Sequence, residues 1–120
     1  MSSGPEGKLK TACKKWMNDN HPDIEYNHYS AYGGVAGFPD AFGYIKAQPW
    51  GIPFAVEFKD PAKRGTKAGL PTKIQKAKGN DLRECCVWVF SPCDSKEDFK
   101  TFIKDLLWSS KLSFLSSNNK

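Results

Sequence analysis

A chain of 120 residues, 39% apolar and 26% charged, has the size and balance of a single folded domain that buries its own core. Its longest unbroken apolar run, residues 85–90, is too short to cross a bilayer, and residues 1–10 are polar with no apolar signal core, so neither a membrane protein nor a secreted disulfide scaffold is expected. The 18 Lys and Arg outnumber the 13 Asp and Glu to give a charge of +5, which favours a polyanionic partner, nucleic acid first.

Taken in chain order, residues 4–19 read as a first helix. Pro5 suits the first helical position after Ser3 or Gly4, and Leu9, Cys13, Trp16 and Met17 fall on one stripe. Asn18, Asn20 and Pro22 end it. Residues 23–29 alternate, with Ile24, Tyr26 and His28 on one side, and predict a half-buried strand. Residues 30–39 form a glycine-rich loop, residues 41–47 a second strand, and Gln48-Pro49-Trp50-Gly51 a turn. Residues 52–59 are a third strand, with Phe54, Val56 and Phe58 on one face and Ala55, Glu57 and Lys59 on the other.

A polar loop at 60–69 leads to a second helix at 70–82, weakened by Gly79. Residues 85–90 read as a short, central, buried strand. Asp94-Ser95-Lys96-Glu97 reads as a capping box for a last helix, whose apolar stripe is Phe99, Phe102, Ile103, Leu106 and Leu107. One domain at 1–108 is followed by a polar tail at 109–120. The order αβββαβ plus a C-terminal helix predicts an α/β fold. Three strands form an antiparallel meander, and the fourth, reached through a helix, lies parallel to a neighbour in a mixed four-stranded sheet flanked by helices.

The four cysteines form no CxxC pair, and His21 and His28 complete no zinc spacing. All four read as free thiols in a reducing, cytoplasmic compartment, with Cys13 and one of Cys85 and Cys86 in the core.

The chemistry concentrates on the second and third strands. A hairpin centred near residue 49 brings Asp40 to the neighbourhood of residues 57–59, while Glu57 and Lys59 share a face by alternation. Two carboxylates and a lysine on one sheet face suit a hard divalent cation such as Mg²⁺, bound by Asp40 and Glu57 with help from the Phe58 carbonyl. Lys59 then orients or deprotonates water, and metal and lysine offset the charge on an attacked phosphate. E-x-K alone carries no weight, since Glu6-Gly7-Lys8 is another in this chain; Asp40 after a glycine-rich loop, a hairpin and then E-x-K is far more specific. Glu6 falls on the apolar stripe of the first helix, where a carboxylate needs a reason, or serves the dipole of the first turn. Gln75, beside Ile74 on the second helix, can reach the sheet to hold Lys59 or a water.

Glu6, Gly37-Phe38-Pro39-Asp40, Val56-Glu57-Phe58-Lys59, Gln75 and the strand near 87–90 together resemble the VRR-NUC family, a virus-type replication-repair nuclease branch of the PD-(D/E)xK superfamily. The resemblance covers about residues 6–91. It implies a restriction-endonuclease-like core, with Glu6, Asp40, Glu57, Lys59 and Gln75 as catalytic positions. It implies a Mg²⁺ or Mn²⁺ site on Asp40, Glu57, Phe58 and Glu6, with no organic cofactor. Stand-alone members look like dimeric nucleases of phages and bacteria that cut branched DNA. The expectation is therefore a metal-dependent endonuclease acting on branched DNA such as four-way junctions, working as a homodimer in the cytoplasm, that of the host cell if phage-encoded. A non-cleaving DNA-binding protein on the same fold, or a nuclease for flaps, ends or RNA, are the alternatives. Phosphate contacts are expected from Lys63, Arg64, Lys67, Lys73, Lys76 and Lys78. Many family members carry a Gly between the second helix and the last strand, where this chain has Arg83-Glu84-Cys85.

Overall fold

The computed structural model describes residues 4–29, 37–47 and 50–118, and for 112–118 the backbone alone. The expectations for Ser3, residues 30–36, the Gln48-Pro49 half of the turn and the side chains of Leu112, Phe114 and Leu115 lie outside the described residues.

Helix α1 (Pro5–Asn20) starts on Gly4 in extended conformation, with Pro5 fixing φ at the first turn and Glu6 meeting the positive end of the dipole. It stops where the His21 N–H donates to the Met17 carbonyl at 2.7 Å, with Pro22 next in the chain. Strands β1 (Glu25–His28), β2 (Ala41–Ile45) and β3 (Ile52–Phe58) pair as the predicted antiparallel meander, and β4 (Trp88–Cys93) joins β3 in parallel. The sheet order is β1-β2-β3-β4. Two short 3₁₀ turns, Pro61–Lys63 and Lys67–Gly69, occupy the 60–69 loop before helix α2 (Lys73–Glu84). Helix α3 (Lys96–Asn118) closes the chain.

One face of the sheet holds the core. Leu9, Cys13 and Met17 of α1 and Phe99, Ile103 and Leu106 of α3 enclose Tyr26, Ala41, Phe54, Val56 and Phe58. Aromatic rings dominate: Phe99 meets Phe58, Tyr26 and Trp16 with centroids 6.2, 5.5 and 6.0 Å apart, distances at which ring edges and faces attract. The other face carries Ala55 and Glu57 and is covered by α2, whose one buried residue is Gly79.

Four features differ from the sequence reading. The last strand starts at Trp88 rather than Cys85 and is an edge strand, which also accommodates its Pro92. The reason is the end of α2. Cys86 has φ 66°, its N–H reaches the Arg83 carbonyl at 3.0 Å, and the Val87 N–H reaches Leu82 at 3.0 Å, so the apolar run is spent on a left-handed helix cap. Both Cys85 and Cys86 are exposed, and the buried thiols are Cys13 and Cys93. The cap of α3 is Ser95, whose Oγ accepts the Asp98 N–H at 3.0 Å, one position later than the predicted box. The helix continues to Asn118 through most of the segment read as a tail. Among the described residues, no helix is long and apolar enough to cross a membrane.

Candidate active site

The β2–β3 register pairs Ala41 with Val56, and one more step sets Asp40 opposite Glu57. The side chain of Asp40 prolongs the ladder by its own means: Oδ2 accepts the Phe58 N–H at 2.8 Å, while its carbonyl accepts the Tyr29 N–H at 2.7 Å. Lys59 is set at the strand end by its N–H to the Cys93 carbonyl, 2.9 Å. The β3–β4 register shifts between Val56 and Phe58, so the pairing changes step where Glu57 sits.

Gly37 explains the start of the Gly-Phe-Pro-Asp step. Its φ is +84°, and a Cβ there would lie 2.9 Å from the backbone of Ile74 in the first turn of α2. The loop thus packs against the helix that bears Gln75 and delivers Asp40 alongside it. Phe38 continues the packing, with the Lys78 ammonium 5.8 Å from its ring centroid.

Glu57 is the buried charged residue of this centre, 4% exposed. Its Oε1 accepts a hydrogen bond from Gln75 Nε2. Its Oε2 is buried with no hydrogen-bond partner. Burial, then the charge of Asp40, raise its pKa to about 8; Lys59 and Lys10 oppose this and Glu6 adds to it. Gln75 meets Glu57 with its amide, where the sequence suggested Lys59 or a water as the partner. It is the third residue of a capping box, with its Oε1 accepting the Thr72 N–H at 2.9 Å and its own N–H donating to Thr72 Oγ1 at 3.1 Å. The helix cap therefore locks the rotamer that holds Glu57.

Glu6 is part of the same end of the molecule, though it is not buried: its side chain is 41% exposed. It reaches the site through a residue the sequence reading did not single out. Lys10 Nζ lies 3.4 Å from Glu6 Oε2 and 3.5 Å from Asp40 Oδ1. The available signal was the Glu6/Lys10 spacing on α1, one helical turn apart.

The oxygens of Asp40 and Glu57, with one Glu57 oxygen buried and unsatisfied, are the donor type a hard divalent cation takes, and the orphaned atom fits such an ion. Among the described residues, no three His, Cys, Asp or Glu side chains gather into one group that could hold a metal, so Glu6 stands apart from the pair. Of the basic residues expected to meet phosphate, Arg64 is committed elsewhere. Its guanidinium binds Asp94 in a two-point contact, with Nε to Oδ2 at 3.1 Å, and reaches Asp98 at 3.0 Å, tying the 60–69 loop to α3. Lys63, Lys67, Lys73 and Lys76 are exposed.

No family profile and no curated protein matches the chain. Among solved structures, a chain described as a VRR_NUC domain superposes with a TM-score of 0.62 at 22% identity, over 85% of this chain and 97% of that one. The fold is therefore the restriction-endonuclease-like α/β fold of VRR_NUC domains, as the motifs between residues 6 and 91 implied.

Proposed function

We propose that the chain is a VRR-NUC nuclease that hydrolyses phosphodiester bonds of DNA with Mg²⁺ or Mn²⁺. The observation that supports this most is the buried, unpartnered Oε2 of Glu57 beside Asp40. A second carboxylate next to a desolvated one costs free energy, and a divalent cation removes that cost. Asp40, Glu57 and the Phe58 carbonyl would hold the ion, with Glu6 nearby. When bound, such an ion supplies Lewis-acid charge to the attacked phosphate and acidifies water.

The chain's own residues do the rest. The Phe58 N–H and the Gln75 amide orient the two carboxylates, each by one oxygen. Lys59 orients the attacking water and faces the charge that develops on the phosphate. Exposed Lys63, Lys67, Lys73 and Lys76 meet the DNA backbone without reading bases.

The substrate we propose is branched DNA such as a four-way junction, cut in the cytoplasm by a homodimer. One site cuts one strand at a time, and paired cuts need two sites related by symmetry. Trp50 and Trp108, 79% and 63% exposed, are apolar surface available to such an interface.

The test is incubation with labelled duplex, flap, splayed-arm and four-way-junction DNA in Mg²⁺, Mn²⁺ or EDTA. Cleavage with either metal, none in EDTA and preference for the junction is the expected result. Cleavage undiminished by EDTA, or none of any substrate with either metal, overturns the reading.

A further inference from the structure

Two cations already act on this centre, Lys59 on Glu57 and Lys10 on Glu6 and Asp40. The Lys10 ammonium is within 3.5 Å of both Glu6 and Asp40, and its side chain is 21% exposed. Its charge also reaches Glu57, where it works against the upward pKa shift. Both separations exceed the 2.7–2.9 Å of a charge-assisted hydrogen bond, so the contact is one of charge more than of fitted geometry. Beside it, Oε2 of Glu57 remains buried and unpaired, a place that the ammonium does not satisfy.

We propose that Lys10 is a positioning residue, a tethered counter-cation that holds the Glu6 and Asp40 carboxylates in the metal-free protein and competes with the divalent ion for them. The inference rests on the metal reading of the site. A lysine suits the task because its charge is compact and its stem flexible, so it gives way where a fixed guanidinium fork would not. A divalent cation arriving at Asp40 would meet a like charge already 3.5 Å from that carboxylate. Lys10 therefore lowers metal affinity while it keeps the empty site from flying apart.

Removing the charge has opposite effects on the two states, which a purely structural salt bridge does not. Lys10→Met keeps most of the aliphatic stem and deletes the ammonium. Mn²⁺ alone, titrated calorimetrically into the full chain, is expected to bind Lys10→Met at least about fivefold more tightly than the unaltered protein, the factor that one unit charge near 4 Å gives even at the dielectric of water. The metal-free variant is expected to melt a few degrees lower, and millimolar Mn²⁺ to close that gap. Lys10→Arg, with the charge kept on a fork that yields less readily, should bind Mn²⁺ no more tightly than the unaltered protein. Lys10→Gln repeats the comparison if Lys10→Met does not fold. Equal or weaker Mn²⁺ affinity in both neutral variants, against measurable binding by the unaltered protein, overturns the role of Lys10 and leaves the metal reading standing. Absence of Mn²⁺ binding in every protein overturns both.

Discussion

The two faces of the sheet are built to different standards. Beneath α1 and α3, Phe54, Phe58, Phe99 and Ile103 are sealed from solvent in a cluster of mostly apolar and aromatic side chains. Beneath α2, a clefted surface replaces the core. A cavity of about 290 Å³ runs past Gln75, Lys76, Gly79 and Arg83, and a wider one of about 570 Å³ opens by Cys86, Val87 and Trp88. Ile74 and Trp88 stay half exposed, and Glu57 is buried there with an oxygen unsatisfied. Stability resides on the first face. The second face gives up packing around a buried carboxylate whose Oε2 has no hydrogen-bond partner.

The largest expected effect lies on the second face and touches function alone. Lys59→Ala should reduce cleavage by about 10³-fold or more, roughly 4 kcal/mol in the barrier, with a melting temperature within a few degrees of the parent, since Lys59 anchors to β4 through its backbone N–H. Single-turnover cleavage and a thermal scan of the same preparation check it. Near-normal turnover would remove Lys59 from the site.

Next comes the converse on the first face. Phe99→Ala empties a ring that meets Phe58, Tyr26 and Trp16, and should cost about 3–5 kcal/mol of stability. Urea unfolding measures it. A loss below about 1 kcal/mol would show that the first face is no better packed than the second.

A smaller effect carries a sign. The Glu57 pKa is raised to about 8 in the fold, against 4.5 ordinarily, so between those values the native state binds the extra proton. Stability in EDTA should therefore fall as pH rises through that window, by about 2 kcal/mol and not beyond roughly 5. Glu57→Gln, which keeps the shape and one acceptor for Gln75, should flatten the dependence and be the more stable protein at pH 8. Chemical unfolding at pH 5, 6.5 and 8 without metal reads the difference; parallel curves for the two proteins would show that the burial of Glu57 is not felt as charge.

Sequence made the hairpin legible because two strand-like segments flank turn residues, and a hairpin fixes which residues meet across it. The approach of Asp40 to residues 57–59 followed from that alone, and the observed register sets it opposite Glu57. The Gln75 contact was half legible. Its nearness to the sheet follows from its place beside Ile74, whereas its aim at Glu57 follows from the Thr72-x-x-Gln75 capping frame. The Arg64 contacts were not legible, because Asp94 and Asp98 lie far along the chain and only the packing of the 60–69 loop on α3 joins them. The start of β4 was misplaced for a local reason. Cys85, Cys86 and Val87 have strand composition, but the helix before them needed residues to close its end.

That closure supplies the smallest and sharpest prediction. Cys86 holds the left-handed position of the cap at φ 66°, where a Cβ costs about 1–2 kcal/mol and glycine nothing. The thiol is exposed, so its removal loses little packing. Against the gain stands the extra freedom of glycine in the unfolded chain, about 0.5–1 kcal/mol. Cys86→Gly should therefore stabilise the protein by about 0.5–1 kcal/mol, a rise in melting temperature of about 2–5 °C, and leave cleavage unchanged. Cys93→Gly, at a fully buried position of the first face, should instead destabilise by more than about 1 kcal/mol. Opposite signs for the same substitution at two cysteines would show that the second face, unlike the first, carries local strain that a single residue relieves without disturbing the site.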